Sequence, residues 1–153
     1  MAKPTRPIVI LVCDDDLEDC MLIRDALEES RVLNDVRFVH DGEELLDYLC
    51  RRGKYEGPET SPYPGLVLLD LNMPRKDGRE ALLEIKNDPN LRKTPVVILT
   101  TSKTEEDICR SYDLGVNSYI AKPVTFEALV ETMGALGRYW LEIVELPSEN
   151  SGC

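Results

Sequence analysis

Residues 66–78 read LVLLDLNMPRKDG, and the first four form an aliphatic run that ends at Asp70. Such a run, without alternating polar residues, is typical of a strand whose two faces are both covered. Four further apolar runs lie at 8–13, 36–39, 96–99 and 116–121. The run at 36–39 (VRFV) is shorter and more polar, so we expect it at an edge of the sheet.

Segments of helical character separate these runs. Apolar residues recur with the 3.6-residue period over 21–29, 45–49 and 81–86, and residues 104–114 begin with acidic residues and end before a glycine. A last helix follows Pro123, with Thr125 as a plausible N-cap. Five strands alternating with five helices predict an α/β fold: a doubly wound, five-stranded parallel sheet with right-handed crossovers.

Length and composition indicate one acidic domain. The 153 residues carry a formal charge of −11, which argues against nucleic acid or an anionic membrane as a partner. We expect the domain to span 1–146, with an extended surface loop over 51–64 and a disordered tail over 147–153. The start of the chain has neither a signal peptide nor a membrane span. The five cysteines are odd in number and form no CxxC pair, so we expect reduced thiols and a cytoplasmic location.

Carboxylates follow two of the predicted strands. Asp14, Asp15 and Asp16 come directly after the first run, and Asp70 ends the third. In open α/β sheets the functional crevice lies outside the carboxyl ends of the strands, so these side chains are expected to converge. Repulsion between them would be offset by a hard cation such as Mg²⁺, which prefers oxygen ligands. The alternative for Asp14–Asp16 is an acidic turn that caps the following helix.

Two other predicted strands end in groups that could contact a phosphoryl group. The fourth ends in Thr100, Thr101 and Ser102, and the fifth in Lys122. A hydroxyl can donate a hydrogen bond to a phosphoryl oxygen, and an ammonium can offset its charge. Singly, each has an ordinary explanation as a helix cap or a solvated lysine.

Together, the segments VCDDD, LLDLNMPRKDG, VVILTTS and YIAKP resemble the receiver domain of two-component response regulators, the family that contains the chemotaxis regulator CheY. The resemblance implies the flavodoxin-like strand order 2-1-3-4-5. It also implies that Asp70 is the phosphoacceptor. Mg²⁺ or Mn²⁺ would be bound by Asp14, Asp15, Asp70 and the backbone carbonyl of Asn72. In this family Glu is more frequent at the position of Asp14; Asp has a shorter reach but keeps the charge.

The same resemblance implies a switch. Thr100 would bond a phosphoryl oxygen, Lys122 would pair with the phosphate, and Tyr119 would be the switching aromatic residue. Thr100 would move towards the phosphate and leave space for Tyr119, which biases the surface formed by the fourth helix, fifth strand and fifth helix. The partner implied is a sensor histidine kinase. The only chemistry expected is the domain's own phosphorylation and dephosphorylation, so it is not an enzyme in the usual sense.

The segments PYPGLVLLDLNMPRKDGREALLEIK and YWLEIVELP, with the long loop before the third strand, are similar to a narrower group. These are the single-domain regulators encoded beside cyanobacterial and bacterial phytochromes. This resemblance implies a phytochrome kinase as phosphodonor and a homodimer. The apolar C-terminal segment could supply the interface through Tyr139, Trp140, Leu141 and Val144; alternatively it folds back over the domain's own core.

Two other functions were weighed. A phosphatase of the haloacid dehalogenase type also uses a strand-end Asp, but it needs a second carboxylate two residues later, where this chain has Asn72. The stronger alternative is a receiver-like binding or dimerisation module that is never phosphorylated.

Overall fold

Five strands form one parallel sheet in the order β2-β1-β3-β4-β5, which confirms the predicted architecture. The computed structural model describes residues 9–32, 35–57, 62–70, 78–100, 118–121 and 125–138. The strands are β1 (Val9–Cys13), β2 (Asp35–Val39), β3 (Pro64–Asp70), β4 (Val96–Thr100) and β5 (Ser118–Ala121). As predicted, β2 lies at an edge and is only partly buried.

Four α-helices lie within the described residues: α1 (Leu17–Glu29), α2 (Gly42–Cys50), α3 (Gly78–Asn87) and α4 (Phe126–Arg138). The helix predicted over 104–114 lies outside the described residues. Helix α4 begins as expected, because the Thr125 hydroxyl accepts a hydrogen bond from the Ala128 amide at 3.1 Å.

Two hydrophobic cores lie on opposite faces of the sheet. Leu11, Val67 and Leu69 point to the side where α2 packs on α3. Ile10 and Leu68 point to the side where α1 packs on α4. Both faces are therefore covered, which is why the strands read as continuous aliphatic runs without polar alternation.

The connection between α2 and β3 is more ordered than the predicted extended loop. It begins at Arg51, which has a left-handed backbone (φ 54°), and continues into a 3-10 helix at Gly53–Tyr55. The Tyr48 hydroxyl donates to the Pro62 carbonyl at 2.7 Å, and Tyr63 is buried. Residues 51–57 are exposed or half-buried, as expected for a surface loop. The prediction of an extended loop up to residue 64 is wrong at its C-terminal end, because Tyr63 is buried and Pro64 already belongs to β3.

The cysteines differ in state. Cys13 and Cys20 are free and buried. Cys50 is disulfide-bonded, and its partner lies outside the described residues. The expectation of reduced thiols throughout is thus wrong for Cys50. Cys50 is the last residue of α2 and is only partly buried.

Among the residues described, no helix is long and apolar enough to cross a membrane.

Candidate metal centre and phosphoacceptor site

The register of the sheet aligns the ends of four neighbouring strands. Cys13 pairs with Leu69, so Asp14 and Asp70 are the next residues at the same level on β1 and β3. Asp70 pairs with Leu99, and Thr100 therefore follows one residue beyond it on β4. Parallel pairing thus brings residues from distant parts of the chain to one edge of the sheet.

Three carboxylates converge at this edge. Asp14, Asp15 and Asp70 each offer an oxygen, and these oxygens all lie within 4.8 Å of one another. Asp14 is fully buried and Asp70 is 4% exposed, whereas Asp15 is exposed. Two buried carboxylates at this distance repel each other strongly unless a cation lies near them.

The third aspartate of the DDD segment has a different role from the other two. Asp16 is the N-cap of α1, and its carboxylate accepts the amide hydrogens of Glu18 (2.9 Å) and Asp19 (3.3 Å). Asp14 Oδ1 accepts the Asp16 amide at 2.9 Å. The capping interpretation is therefore right for Asp16, while Asp14 and Asp15 belong to the carboxylate cluster.

The turn between β2 and α2 lies against the cluster. Asp41 caps α2 by accepting the Glu44 amide at 2.8 Å. The Glu44 carboxylate accepts the His40 amide at 2.8 Å, the Tyr55 hydroxyl, and the Lys54 ammonium at 3.1 Å. Burial raises the pKa of Glu44, but these hydrogen bonds outweigh it and the net pKa is lowered.

The negative charges at this edge of the sheet affect the pKa of the Cys13 thiol. Burial is the main reason that its pKa lies well above the ordinary value, and the charges of Asp41, Asp14 and Asp70 raise it further. A raised pKa favours the protonated thiol, which is a poorer nucleophile and metal ligand than the thiolate.

Some of the predicted site residues lie within the described part of the chain, and others lie outside it. It brings Asp14, Asp15 and Asp70 together. The backbones of Thr100 and Tyr119 lie on β4 and β5, where Thr100 pairs with Ala121 and Tyr119 with Ile98. The remaining predictions lie outside the described residues: Asn72, Lys122 and the interface residues Tyr139, Trp140, Leu141 and Val144.

Sequence reasoning missed the residues beneath the cluster. His40 was not among the predicted site residues, yet its ring nitrogen Nδ1 lies 3.1 Å from the Asp14 carbonyl oxygen. Glu44 carried a usable signal, since Asp41 followed by Glu44 has the spacing of a capping box. Nothing in the sequence indicated that His40 and Asp14 are neighbours.

The donor set fits a hard divalent cation. Three carboxylate oxygens of suitable proximity lie at the sheet edge, two of them on buried residues. Mg²⁺ and Mn²⁺ both prefer such oxygen ligands, whereas Zn²⁺ sites commonly use Cys and His.

Comparison with known proteins agrees with this arrangement. The response regulator receiver domain family matches residues 10–133. The response regulator Rcp1 of Synechocystis sp. is 42% identical over 142 residues, which cover 93% of this chain and 95% of Rcp1. The crystal structure of the phosphorylated cyanobacterial phytochrome response regulator RcpA matches with a TM-score of 0.83 at 43% identity, over 94% of this chain and 100% of RcpA. The Mn²⁺-bound form of Rcp1 matches with a TM-score of 0.77 at 42% identity, over 93% and 100% of the two chains.

Proposed function

The chain belongs to the response regulator receiver domain family, and from this premise we propose that it is a phosphorylated switch of a two-component system. It accepts a phosphoryl group from a histidine kinase on Asp70. The observation that carries the proposal is the cluster of Asp14, Asp15 and Asp70 at the carboxyl edge of the sheet.

Asp14, Asp15 and Asp70 would hold Mg²⁺, together with the backbone carbonyl of Asn72. When bound, the cation offsets the negative charge that the cluster presents to an incoming phosphoryl group. The rigid strand end keeps Asp70 in place, so little reorganisation is needed before attack. Lys122, which follows the last residue of β5 in sequence, would supply a second positive charge.

The transfer step is a displacement at phosphorus. A carboxylate oxygen of Asp70 forms a P–O bond while the P–N bond of the kinase phosphohistidine breaks, and the leaving imidazole nitrogen keeps the electron pair. The product is an aspartyl phosphate, which water later hydrolyses to reset the switch. No other substrate is turned over, so the domain acts as a signalling protein.

The switch would act through the β4 and β5 edge. The aspartyl phosphate carries close to two negative charges where the ionised carboxylate carried one, so phosphorylation adds about one negative charge and three phosphoryl oxygens at this edge. Thr100 would donate a hydrogen bond to a phosphoryl oxygen, and Tyr119 would take the space left behind. The surface made by the predicted helix at 104–114, β5 and α4 would then change its binding properties.

A phytochrome kinase is the proposed phosphodonor, on the strength of the likeness to RcpA. Helix α1 offers a plausible surface for a donor, because Leu17, Met21 and Leu22 are exposed and Leu17 lies three residues after Asp14. We also propose a cytoplasmic location and a homodimer formed through Tyr139, Trp140, Leu141 and Val144. Light scattering coupled to size exclusion would test the dimer.

The direct test is the intact mass after incubation with acetyl phosphate and Mg²⁺. Wild-type protein should gain about 80 Da, which is the mass of one phosphoryl group. The gain should disappear in Asp70→Asn and when EDTA replaces Mg²⁺. Asp25→Asn is a matched control, since Asp25 is an exposed aspartate within α1.

Each result has a clear meaning. A gain that persists in Asp70→Asn would show that the acceptor is a different residue. No gain in a folded wild-type protein that binds Mg²⁺ would favour the alternative function, a binding or dimerisation module that is never phosphorylated.

A further inference from the structure

The end of β2 and the turn that follows it contact the backbone of Asp14, one of the three residues of the carboxylate cluster. Strand pairing between β1 and β2 ends at Cys13 and Val39. Beyond this pair, the Asp14 amide still donates to the Val39 carbonyl at 3.0 Å. The next contact comes from a side chain, because Nδ1 of His40 lies 3.1 Å from the Asp14 carbonyl oxygen.

The chemistry of this contact determines which atom carries the proton. A backbone carbonyl oxygen can only accept a hydrogen bond, so Nδ1 of His40 must be the donor. The backbone of His40 is also held, since its amide donates to Glu44 Oε1 at 2.8 Å. Glu44 is in turn fixed by Tyr55 and Lys54 from the 3-10 helix.

The bonded carbonyl belongs to the peptide group that joins Asp14 to Asp15. A peptide group is planar, so fixing its carbonyl oxygen restricts the orientation of the Cα atoms on both sides. Those two Cα atoms carry two of the three carboxylates that lie within 4.8 Å of one another. The same oxygen also accepts the Cys20 thiol at the longer distance of 3.5 Å, so Nδ1 of His40 is the closer of two donors that orient this peptide group and, through it, the two carboxylates.

We propose that His40 is a positioning residue for the metal centre, and that its Nδ1–H group holds the Asp14–Asp15 peptide in the orientation that binds a divalent cation. This inference rests on the proposed function, because it assumes that the cluster binds Mg²⁺. His40 itself touches neither the metal nor the phosphoryl group in this account.

Two substitutions separate the hydrogen bond from the bulk of the side chain. In His40→Asn the side-chain amide nitrogen stands where Nδ1 stood, so the donor is kept. In His40→Leu the volume is similar and the donor is lost. Tyr63→Phe is the matched control, because it removes a buried hydrogen bond, the one to Thr94, that does not involve His40, Glu44 or Asp14.

Calorimetric titration with MgCl₂ gives the metal affinity of each folded variant. His40→Leu should weaken Mg²⁺ binding by about two- to tenfold, the range expected for one net hydrogen bond. His40→Asn should stay within about twofold of wild type, since the same bond is retained. Tyr63→Phe should reduce stability but leave the Mg²⁺ affinity unchanged. If the role of His40 were purely structural, His40→Leu should behave in the same way.

A second readout does not depend on the metal. A long-range ¹H–¹⁵N spectrum of the metal-free protein at about pH 8, where an ordinary imidazole is neutral, should show the proton on Nδ1. A proton on Nε2 would overturn the inference at its geometric basis. Wild-type Mg²⁺ affinity in His40→Leu would also overturn it, while leaving the phosphoacceptor function intact. A wild-type protein that does not bind Mg²⁺ would contradict the proposed function, and with it this inference.

Discussion

Replacing Asp70 with Asn should stabilise the metal-free protein. Asp14 and Asp70 are both buried, and their nearest oxygens lie within 4.8 Å. At this distance two unit charges repel each other by about 3.5 kcal/mol if the effective dielectric constant is about 20. Asn has nearly the same shape without the charge, but it replaces one acceptor oxygen with an NH₂ donor. We therefore expect a net gain of about 2 kcal/mol in the free energy of unfolding, or about 4–8 °C in melting temperature.

Urea unfolding in EDTA, followed by circular dichroism, measures this gain. At increasing Mg²⁺ concentration, the difference in the free energy of unfolding between Asp70→Asn and wild type should become smaller. The reason is that the cation stabilises the wild-type cluster more than the substituted one. Asp25→Asn on α1 controls for the loss of a surface charge and should change stability by less than about 0.5 kcal/mol. An Asp70→Asn protein that is no more stable than wild type without metal would refute the argument that the cluster is electrostatically strained.

Three further predictions concern the packing around the site. The lowered pKa of Glu44 means that its ionised form adds stability above the ordinary value of 4.5, and that this stability is lost as the pH falls through the folded-state pKa. Between about pH 5 and pH 3 the wild type should therefore lose stability more steeply than Glu44→Gln in urea titrations; parallel curves would contradict this. Tyr63 and Thr94 share a buried hydroxyl–hydroxyl hydrogen bond. Thr94→Val should cost about 1–3 kcal/mol, and adding Tyr63→Phe should recover part of it; simple additivity in the double-mutant cycle would argue against this pairing. A Cβ at Gly137 would lie 2.6 Å from Val32 Cγ2, so Gly137→Ala should lower the melting temperature despite a helix-propensity gain of about 1 kcal/mol. Adding Val32→Ala should relieve the clash, and no improvement in the double variant would refute the explanation.

The fold could be predicted because its signal is local and repeated. Aliphatic runs such as 96–99 can be recognised from their composition alone. Because apolar and polar residues do not alternate in them, they already indicate that both faces of the sheet are covered by helices. The edge position of β2 followed from its polar residues in the same way. The carboxylates were predictable too, since Asp14 and Asp70 each follow a run directly, and the carboxyl ends of parallel strands meet at one edge.

The errors concern contacts between segments that are distant in sequence. Residues 51–64 were predicted to form an extended surface loop because their composition is polar and rich in Gly and Pro. Tyr48 and Tyr63 tie it to the domain, through partners that no local pattern reveals. Cys50 was misread for the same reason, because a disulfide depends on the approach of two sulfur atoms and not on the residues around either one.

By itself, the sequence determined the α/β class, the order of chemical groups along the chain, and the candidate phosphoacceptor Asp70. The first two depend on hydrophobic periodicity and on which residue follows each strand, both of which can be read along the chain. The role of Asp70 as phosphoacceptor was implied by the resemblance to the receiver family. The three-dimensional structure was needed to separate the three consecutive aspartates: Asp14 and Asp15 join Asp70 in one cluster, as expected, while Asp16 caps a helix. It also decided that His40 supports the Asp14 carbonyl, 26 residues away in sequence. The physical reason is that a hydrogen bond or a metal site depends on distances of a few ångströms, and those distances are set by the register and packing of the whole sheet.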